Sequence, residues 1–332
     1  MLLVNLNQNK SKDNMYFSET LLDTLQKNIS QKKKSIVYIN KRGEFSALIC
    51  NSCQFLYKCH HCDVSLNIHS SPEKMICHLC SQSYQMPKLC KQCKKDSLIK
   101  VGIGTQQVEK FLKEYFKKSS VNIFRFDADQ VKNKTQKENA LEQLNNAEII
   151  IGTKMITTGF DFENVGLIAV ILLEQELLIP GYNTQEKLYA NIKQLIGRGG
   201  RKGEITETII QTFIPENEIV KSITEKNYKL FFIDSLKERK MFHYPPYAEM
   251  VTLEYRHKIE EKAHIFINKL QKKIETFPEY TLYDIMVSPR SFKKNNQYFF
   301  KIIIKGQNTR SFLKNIKSDI MSNSALSVIF ES

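Results

Sequence analysis

All eight cysteines of this 332-residue chain lie between Cys50 and Cys93, in four C-x-x-C pairs: Cys50/Cys53, Cys59/Cys62, Cys77/Cys80 and Cys90/Cys93. A two-residue gap lets both thiolates of a tight turn face one metal ion, and two such knuckles complete a tetrahedral four-cysteine site. Four knuckles predict two zinc ions. Eight thiolates then fill eight coordination positions and leave none open for water, so the zinc is expected to be structural rather than catalytic. Disulfides are the competing reading, but a long chain without a secretion signal belongs in a reducing compartment, where paired thiols bind metal. A single redox pair would not account for four. His60, His61, His69 and His78 lie among the knuckles and are expected at the surface or in packing. Phe55 and Tyr57 either stack on bases or fill the small core of a zinc ribbon.

Composition sets the class. A hydrophobic fraction of 42% with 25% charged residues excludes wholesale disorder. The longest apolar run, residues 167–173, falls well short of the ~18 that a membrane span needs. The start is apolar only over residues 1–4, too short for a signal-peptide core. A soluble, cytoplasmic protein of two domains, with three possible, and no membrane contact is therefore expected. The net charge of +14 favours a polyanionic partner. Lysine dominates that charge and Asn and Ile abound, as an AT-rich codon usage would also produce. Charge alone permits nucleic-acid binding without proving it.

Around the cysteines the chain reads as α/β. Strands are expected at 35–40, 98–101, 121–126, 148–151, 167–173 and 207–213, and helices at 21–29, 106–116, 137–144 and 185–196. Short apolar strands alternating with helices imply a parallel sheet covered on both faces, with ligands at the carboxyl ends of its strands. Three glycine-bearing turns fall there: GIGTQ at 102–106, GTKMITTGFD at 152–161 and QLIGRGGR at 194–201. Arg198 and Arg201, three apart among glycines, suit a pair that reaches a transferring phosphoryl group.

After a helical stretch over 216–240, which ends before the structure-breaking Pro245 and Pro246, the pattern β-α-β-β-α-β runs from 249 to 330. This predicts a small α+β, split βαβ domain. Arg290, Lys293, Lys294, Lys301 and Lys305 crowd its central hairpin. They form either a solvated face or a contact for nucleic acid or an acidic partner.

The ordered stretches GIGTQQ, TTGFDF and QLIGRGGR resemble the second motor lobe of superfamily 2 helicases, whose fold is RecA-like. The four-knuckle insert narrows the resemblance to the C-terminal part of the replication restart helicases, the primosomal protein N′ (PriA) family. INKRGE at 39–44 and the Pro245-Pro246 pair extend the likeness over nearly the whole chain. The resemblance implies these divisions: a lead-in over 1–34, the lobe over 35–49 and 94–215, the zinc insert over 50–93, linker helices over 216–247 and the C-terminal domain over 248–332. It implies that Arg198 and Arg201 act on ATP, that Gly159, Asp161 and Gln194 help bind it, and that Thr105 and Thr153 lie near the DNA track. It further implies that Cys50, Cys53, Cys90 and Cys93 hold one zinc and that Cys59, Cys62, Cys77 and Cys80 hold the other. The implied activity is ATP-dependent 3′→5′ movement on forked DNA, with loading of the replicative helicase. The implied partners are forked or single-stranded DNA, single-strand-binding protein and other primosome proteins.

Four positions depart from that pattern. The family's GTQM reads GTKM, with Lys154, and a Lys expected before Gly159 is Thr158. The stretch resembling D-x-x-L-x-x-P-D-F-R-x-x-E-R reads EQELLIPGYNTQEK over 174–187, with Gly181 in place of Asp and Asn183 in place of Arg. No G-x-x-x-x-G-K-[ST] and no DEEH-like acidic run occurs among these residues. An arginine finger needs the phosphates and Mg²⁺ that those motifs hold. ATP hydrolysis is therefore expected only with a separate first-lobe polypeptide. The alternative is a non-catalytic zinc-containing remnant that binds DNA or partners.

Overall fold

Six parallel strands, β1 (Leu2–Asn5), β2 (Lys34–Tyr38), β5 (Ile123–Phe126), β6 (Ile149–Gly152), β7 (Val165–Val170) and β8 (Glu207–Thr212), lie in the order β1-β8-β7-β2-β6-β5. Strands β3 (Ala47–Cys50) and β4 (Leu98–Val101) form their own antiparallel ribbon. The computed structural model describes residues 1–39, 47–62, 64–70, 73–77, 79–127, 140, 142–157, 162–179, 181–199, 205–288, 291–294 and 296–331. They divide into two units. The first holds Met1–Tyr57, Ser65–Lys74 and Gln85–Phe231; the second holds Lys58–Val64, Met75–Tyr84 and Phe232–Ser332.

In the first unit the central strands β6 and β7 are apolar throughout because both faces are covered. Every residue of β6 and β7 is buried. Helix α1 (Glu19–Ser30) starts at Ser18, whose hydroxyl accepts from the Leu21 N–H at 3.1 Å, and it buries Leu21, Leu22 and Leu25. Gln211, fully buried in β8, sets where that helix begins. It accepts from the Ser18 N–H at 2.8 Å and donates to the Tyr16 carbonyl at 2.8 Å. Helices α2 (Thr105–Tyr115) and α3 (Thr184–Ile196) bury Val108 and Leu112, and Leu188, Ile192 and Leu195. This is the parallel-sheet, RecA-like α/β lobe that the sequence anticipates.

Two strand expectations change. Residues 98–101 do form a strand, but it leaves the parallel sheet and pairs with β3, Ala47 opposite Val101 and Cys50 opposite Leu98. The chain departs at Cys50 and returns at Leu98, so the two ends of the excursion zip together. The apolar run 167–173 stops being strand at Val170, and Leu173–Leu178 is a 3₁₀ turn. Edge strand β1 has no counterpart in the pattern reading, since a four-residue run carries almost no periodicity. Of the helix expected at 137–144, residues 137–139 and 141 lie outside the described residues, while 142–146 are helical.

The linking segment holds helices α4 (Glu218–Thr224) and α5 (Tyr228–Met241). In the second unit, β9 (Glu249–His257), β10 (Asp284–Val287), β11 (Gln297–Gly306) and β12 (Leu326–Glu331) form an antiparallel sheet in the order β10-β11-β9-β12, with helix α6 (Glu260–Glu275) following β9. The sequence order β-α-β-β-α-β with this spatial order is the split βαβ fold. Its core includes Val251, Leu253, Ile267, Ile302 and Ile304. The helix expected over 309–318 is broken into Thr309–Phe312, a 3₁₀ turn Leu313–Ile316, and Lys317–Met321. Among the basic residues grouped at the central hairpin, Lys305 is buried rather than solvated, and Arg290 lies outside the described residues. The second unit also takes in residues 58–64 and 75–84 of the cysteine-rich stretch. Among the described residues no helix is long and apolar enough to cross a membrane.

Candidate metal centres and motif loops

The C-x-x-C turns are built alike. The N–H of the fourth residue after the first cysteine donates to that cysteine's carbonyl: Gln54 to Cys50 at 2.8 Å, Ser81 to Cys77 at 2.7 Å and Lys94 to Cys90 at 3.0 Å. The first cysteine's own N–H donates one residue further on, Cys50 to Phe55, Cys59 to Val64, Cys77 to Gln82 and Cys90 to Lys95, at 2.8–3.0 Å. Gln54, Ser81 and Lys94 all have φ of 62°. A non-glycine residue there costs about 1–2 kcal/mol, which the turn tolerates because it aims two sulfurs at one point.

The sulfurs converge in two groups. Cys50, Cys53, Cys90 and Cys93 form one, Cys59, Cys62, Cys77 and Cys80 the other, and within each the sulfurs lie within 4.8 Å of one another. Cys50–Cys93 and Cys53–Cys90 are 3.6 Å apart, and Cys59–Cys80 is 3.8 Å apart. Four thiolates around an ion at ~2.3 Å would stand about 3.8 Å from each other. A disulfide needs ~2.05 Å, and all eight cysteines are free. The grouping is the one the family resemblance implies, and both donor sets fit a tetrahedral ion. Crowding makes the case chemically. The Cys62 thiol is pushed up, chiefly by its hydrogen bond with Cys59, whose own pKa falls through the same contact. A divalent ion removes that conflict by letting all four ionise. The first group lies wholly in the first unit and the second wholly in the second.

Neighbouring tyrosines fix the knuckles. The Lys91 N–H donates to the Tyr57 hydroxyl at 2.9 Å, and the Tyr84 hydroxyl lies 3.1 Å from Cys59 Sγ. Tyr57 is buried with its ring edge against Phe55, so it serves packing rather than base stacking. His60 and His61 are exposed, His60 edging onto Tyr84. His78 and the side chain of His69 lie outside the described residues.

At the carboxyl end of the parallel sheet, Arg198 follows α3 and its guanidinium donates through Nε and Nη2 to the Thr157 carbonyl, at 2.9 and 2.7 Å. Thr157 in turn donates its hydroxyl to the Lys154 carbonyl at 2.8 Å. Two motif segments distant in sequence therefore meet. Gly152 starts this loop, and a Cβ there would come within 2.4 Å of Ile156 Cγ2. Thr105 is buried at the start of α2, its hydroxyl donating to the buried Asp127 at 2.8 Å, which also takes a hydrogen bond from Arg125. Thr153 is buried after β6, and Gln194 is exposed on α3. Gly159, Asp161 and Arg201 lie outside the described residues.

The sequence reading passes over three consecutive buried polar residues that tie these loops together. Glu174 accepts from the Thr212 hydroxyl at 2.7 Å and the Phe213 N–H at 2.8 Å. Gln175 donates to the Ile103 carbonyl at 2.8 Å. Glu176 accepts from the Tyr38 hydroxyl and lies 3.8 Å from the Lys154 ammonium. Burial pushes Glu174 up to about 7. The signal is present in the sequence as EQE interrupting an otherwise apolar run at 167–179.

Residues 84–203 match the helicase conserved C-terminal domain. The replication restart protein PriA of Bacillus subtilis is 30% identical over 256 residues, covering 76% of this chain and 32% of that protein. PriA of Borreliella burgdorferi is 31% identical over 257 residues, 77% of this chain and 38% of its own length. PriA of Chlamydia muridarum is 27% identical over 329 residues, 98% of this chain and 43% of its own. The chain thus spans less than half of each of these relatives. With a helicase conserved C-terminal domain over 84–203 and PriA likeness over most of its length, the chain is a homologue of the C-terminal region of the replication restart protein PriA.

Proposed function

We propose that this chain provides the second motor lobe, two structural zinc ions and a C-terminal nucleic-acid- or partner-binding domain for a PriA-like, ATP-dependent DNA helicase that restarts replication on forked DNA. The observation that carries this reading is the Arg198 clasp on Thr157, which brings the QLIGRGGR and TTGFDF segments together at the end of the sheet where α/β proteins bind ligands. Arg198, occupied with that carbonyl, holds Thr157, the first residue of TTGFDF, in place, and the reading assigns Gly159 and Asp161 of that motif to the nucleotide. This reading assigns Arg201 to the transferring phosphoryl group and Gln194, exposed on α3, to the nucleotide. ATP with Mg²⁺, held mainly by a first lobe, would supply the energy for movement. Thr105, the first residue of α2, and Thr153, just after β6, would present their backbone to the DNA track, since the Thr105 hydroxyl is committed to Asp127.

Zinc at each four-cysteine group supplies folding energy rather than catalysis, because the four sulfurs complete its coordination. Forked or single-stranded DNA, single-strand-binding protein and other primosome proteins are the partners this reading assigns, in keeping with the net charge of +14.

The test is ATP hydrolysis with forked DNA, by the chain alone and mixed with a first motor lobe carrying the GKT and acidic motifs. Hydrolysis should appear only in the mixture and vanish with Arg201→Ala. Hydrolysis by the chain alone that dies with Arg201→Ala would overturn the need for a second polypeptide. A mixture that binds forks and stays inactive would overturn the motor reading.

A further inference from the structure

The second cysteine group does not stand alone in its unit. Tyr244, 4% exposed, donates its hydroxyl to the Cys62 carbonyl at 3.1 Å. The Lys305 ammonium, on β11, sits 4.7 Å from the centre of the Tyr244 ring. Lys305 is 2% exposed, and a buried ammonium persists only when fully partnered. Its partners are the Asp284 carboxylate at 2.8 Å, the residue opposite it in the β10–β11 ladder, and the Phe242 carbonyl at 2.7 Å. The backbone between these contacts is pinned as well: the Tyr244 N–H donates to the Arg239 carbonyl at 2.8 Å, and Gln307 donates to the Tyr247 carbonyl at 2.7 Å. A continuous run of contacts leads from the sheet of the split βαβ fold, through Lys305 and Tyr244, to the turn that carries Cys62.

We propose that Tyr244 and Lys305 are the outer shell of the Cys59/Cys62/Cys77/Cys80 metal site, so that the C-terminal α+β fold retains this metal and the metal in turn steadies that fold. The inference rests on the zinc reading above. Residues that hold metal ligands from behind raise affinity by restricting how far the ligands relax when the ion leaves, and losing one typically costs ~10–100-fold. Tyr244 acts on the Cys62 turn, and Lys305 acts by holding the Tyr244 ring and the Phe242 backbone in place. Both are positioning residues. Linkage makes the effect reciprocal: whatever tightens the metal when the sheet is folded also stabilises the sheet when the metal is bound. The Cys50/Cys53/Cys90/Cys93 site belongs to the other unit and serves as an internal control.

The test uses the full zinc-loaded chain, challenged with a chelator and pulsed with iodoacetamide, with alkylation read peptide by peptide in a mass spectrometer. Tyr244→Phe removes only the hydroxyl, and Lys305→Met keeps volume while removing the charge. Each should expose Cys59, Cys62, Cys77 and Cys80 about tenfold faster than the wild-type chain, with the other four cysteines unchanged. As a second readout, stripping zinc from the wild-type chain should raise hydrogen exchange in 249–257 and 297–306. Unchanged release in both variants, or equal acceleration at both quartets, overturns the proposal. A chain that binds no zinc at either quartet sinks the zinc reading along with it.

Discussion

The hydroxyl of Tyr38, at the end of β2, donates to the Glu176 carboxylate at 2.5 Å, and both residues are almost entirely buried. Burial, and then the carboxylate beside it, pushes the Tyr38 pKa up, so the phenol stays the donor. Glu176 also draws in Lys154 from the loop after β6. One side chain thereby joins two neighbouring strands of the sheet at the end where the motif loops emerge.

Replacing that side chain should therefore be costly. Glu176→Ala leaves a buried hydroxyl without an acceptor and strips Lys154 of its ion pair, a loss of about 2–3 kcal/mol. Chemical unfolding of the variant should show a lower midpoint with an unchanged slope. A variant as stable as the parent contradicts the role assigned to Glu176.

Glu174 gives a pH signature. Its folded pKa of about 7 lies above the ordinary carboxylate value of 4.5, so its contribution to stability is complete below about 4.5 and is lost as pH rises through about 7. The shift corresponds to something on the order of 3 kcal/mol across that window. Glu174→Gln mimics the protonated acid and should gain on the parent between pH 4.5 and 7. Parallel stability curves for the two proteins would refute the assignment.

The clasp between Arg198 and Thr157 depends on a planar fork that puts two N–H groups on one carbonyl. Arg198→Lys keeps the charge but not the fork. It should lower stability by about 1 kcal/mol and cut ATP turnover in the two-lobe mixture at least tenfold, with little change in DNA affinity. Turnover equal to the parent in the lysine variant would show that charge alone suffices.

Metal stoichiometry separates the two cysteine groups. Cys77→Ser and Cys50→Ser should each lower bound zinc from about two to about one per chain, and the double variant to about none. Elemental analysis of the purified proteins decides this. A single substitution that empties both sites would mean that the two quartets are one cooperative centre.

Much of this is legible along the chain. The C-x-x-C spacing names the ligands because two residues span one tight turn, a local geometry. The runs at 148–151 and 167–173 read as buried parallel strands because both faces are covered, and the strands observed lie at Ile149–Gly152 and Val165–Val170. The pairing of knuckles is not local: it comes from family likeness, and the sulfur distances agree with it. The EQE run at 174–176 escapes notice as a site because pattern reading scores polar residues as loop, and their value lies in partners at Tyr38, Ile103 and Thr212.

Ligand type and strand type thus follow from sequence alone, since each depends on neighbours two to four residues away. How close the grouped sulfurs come, why residues 98–101 desert the parallel sheet, and how Lys305 comes to lie under Tyr244 beside Cys62 were decided only by the folded chain. Those relationships join residues that sequence order holds far apart, and only burial of the surfaces between them brings such groups into contact.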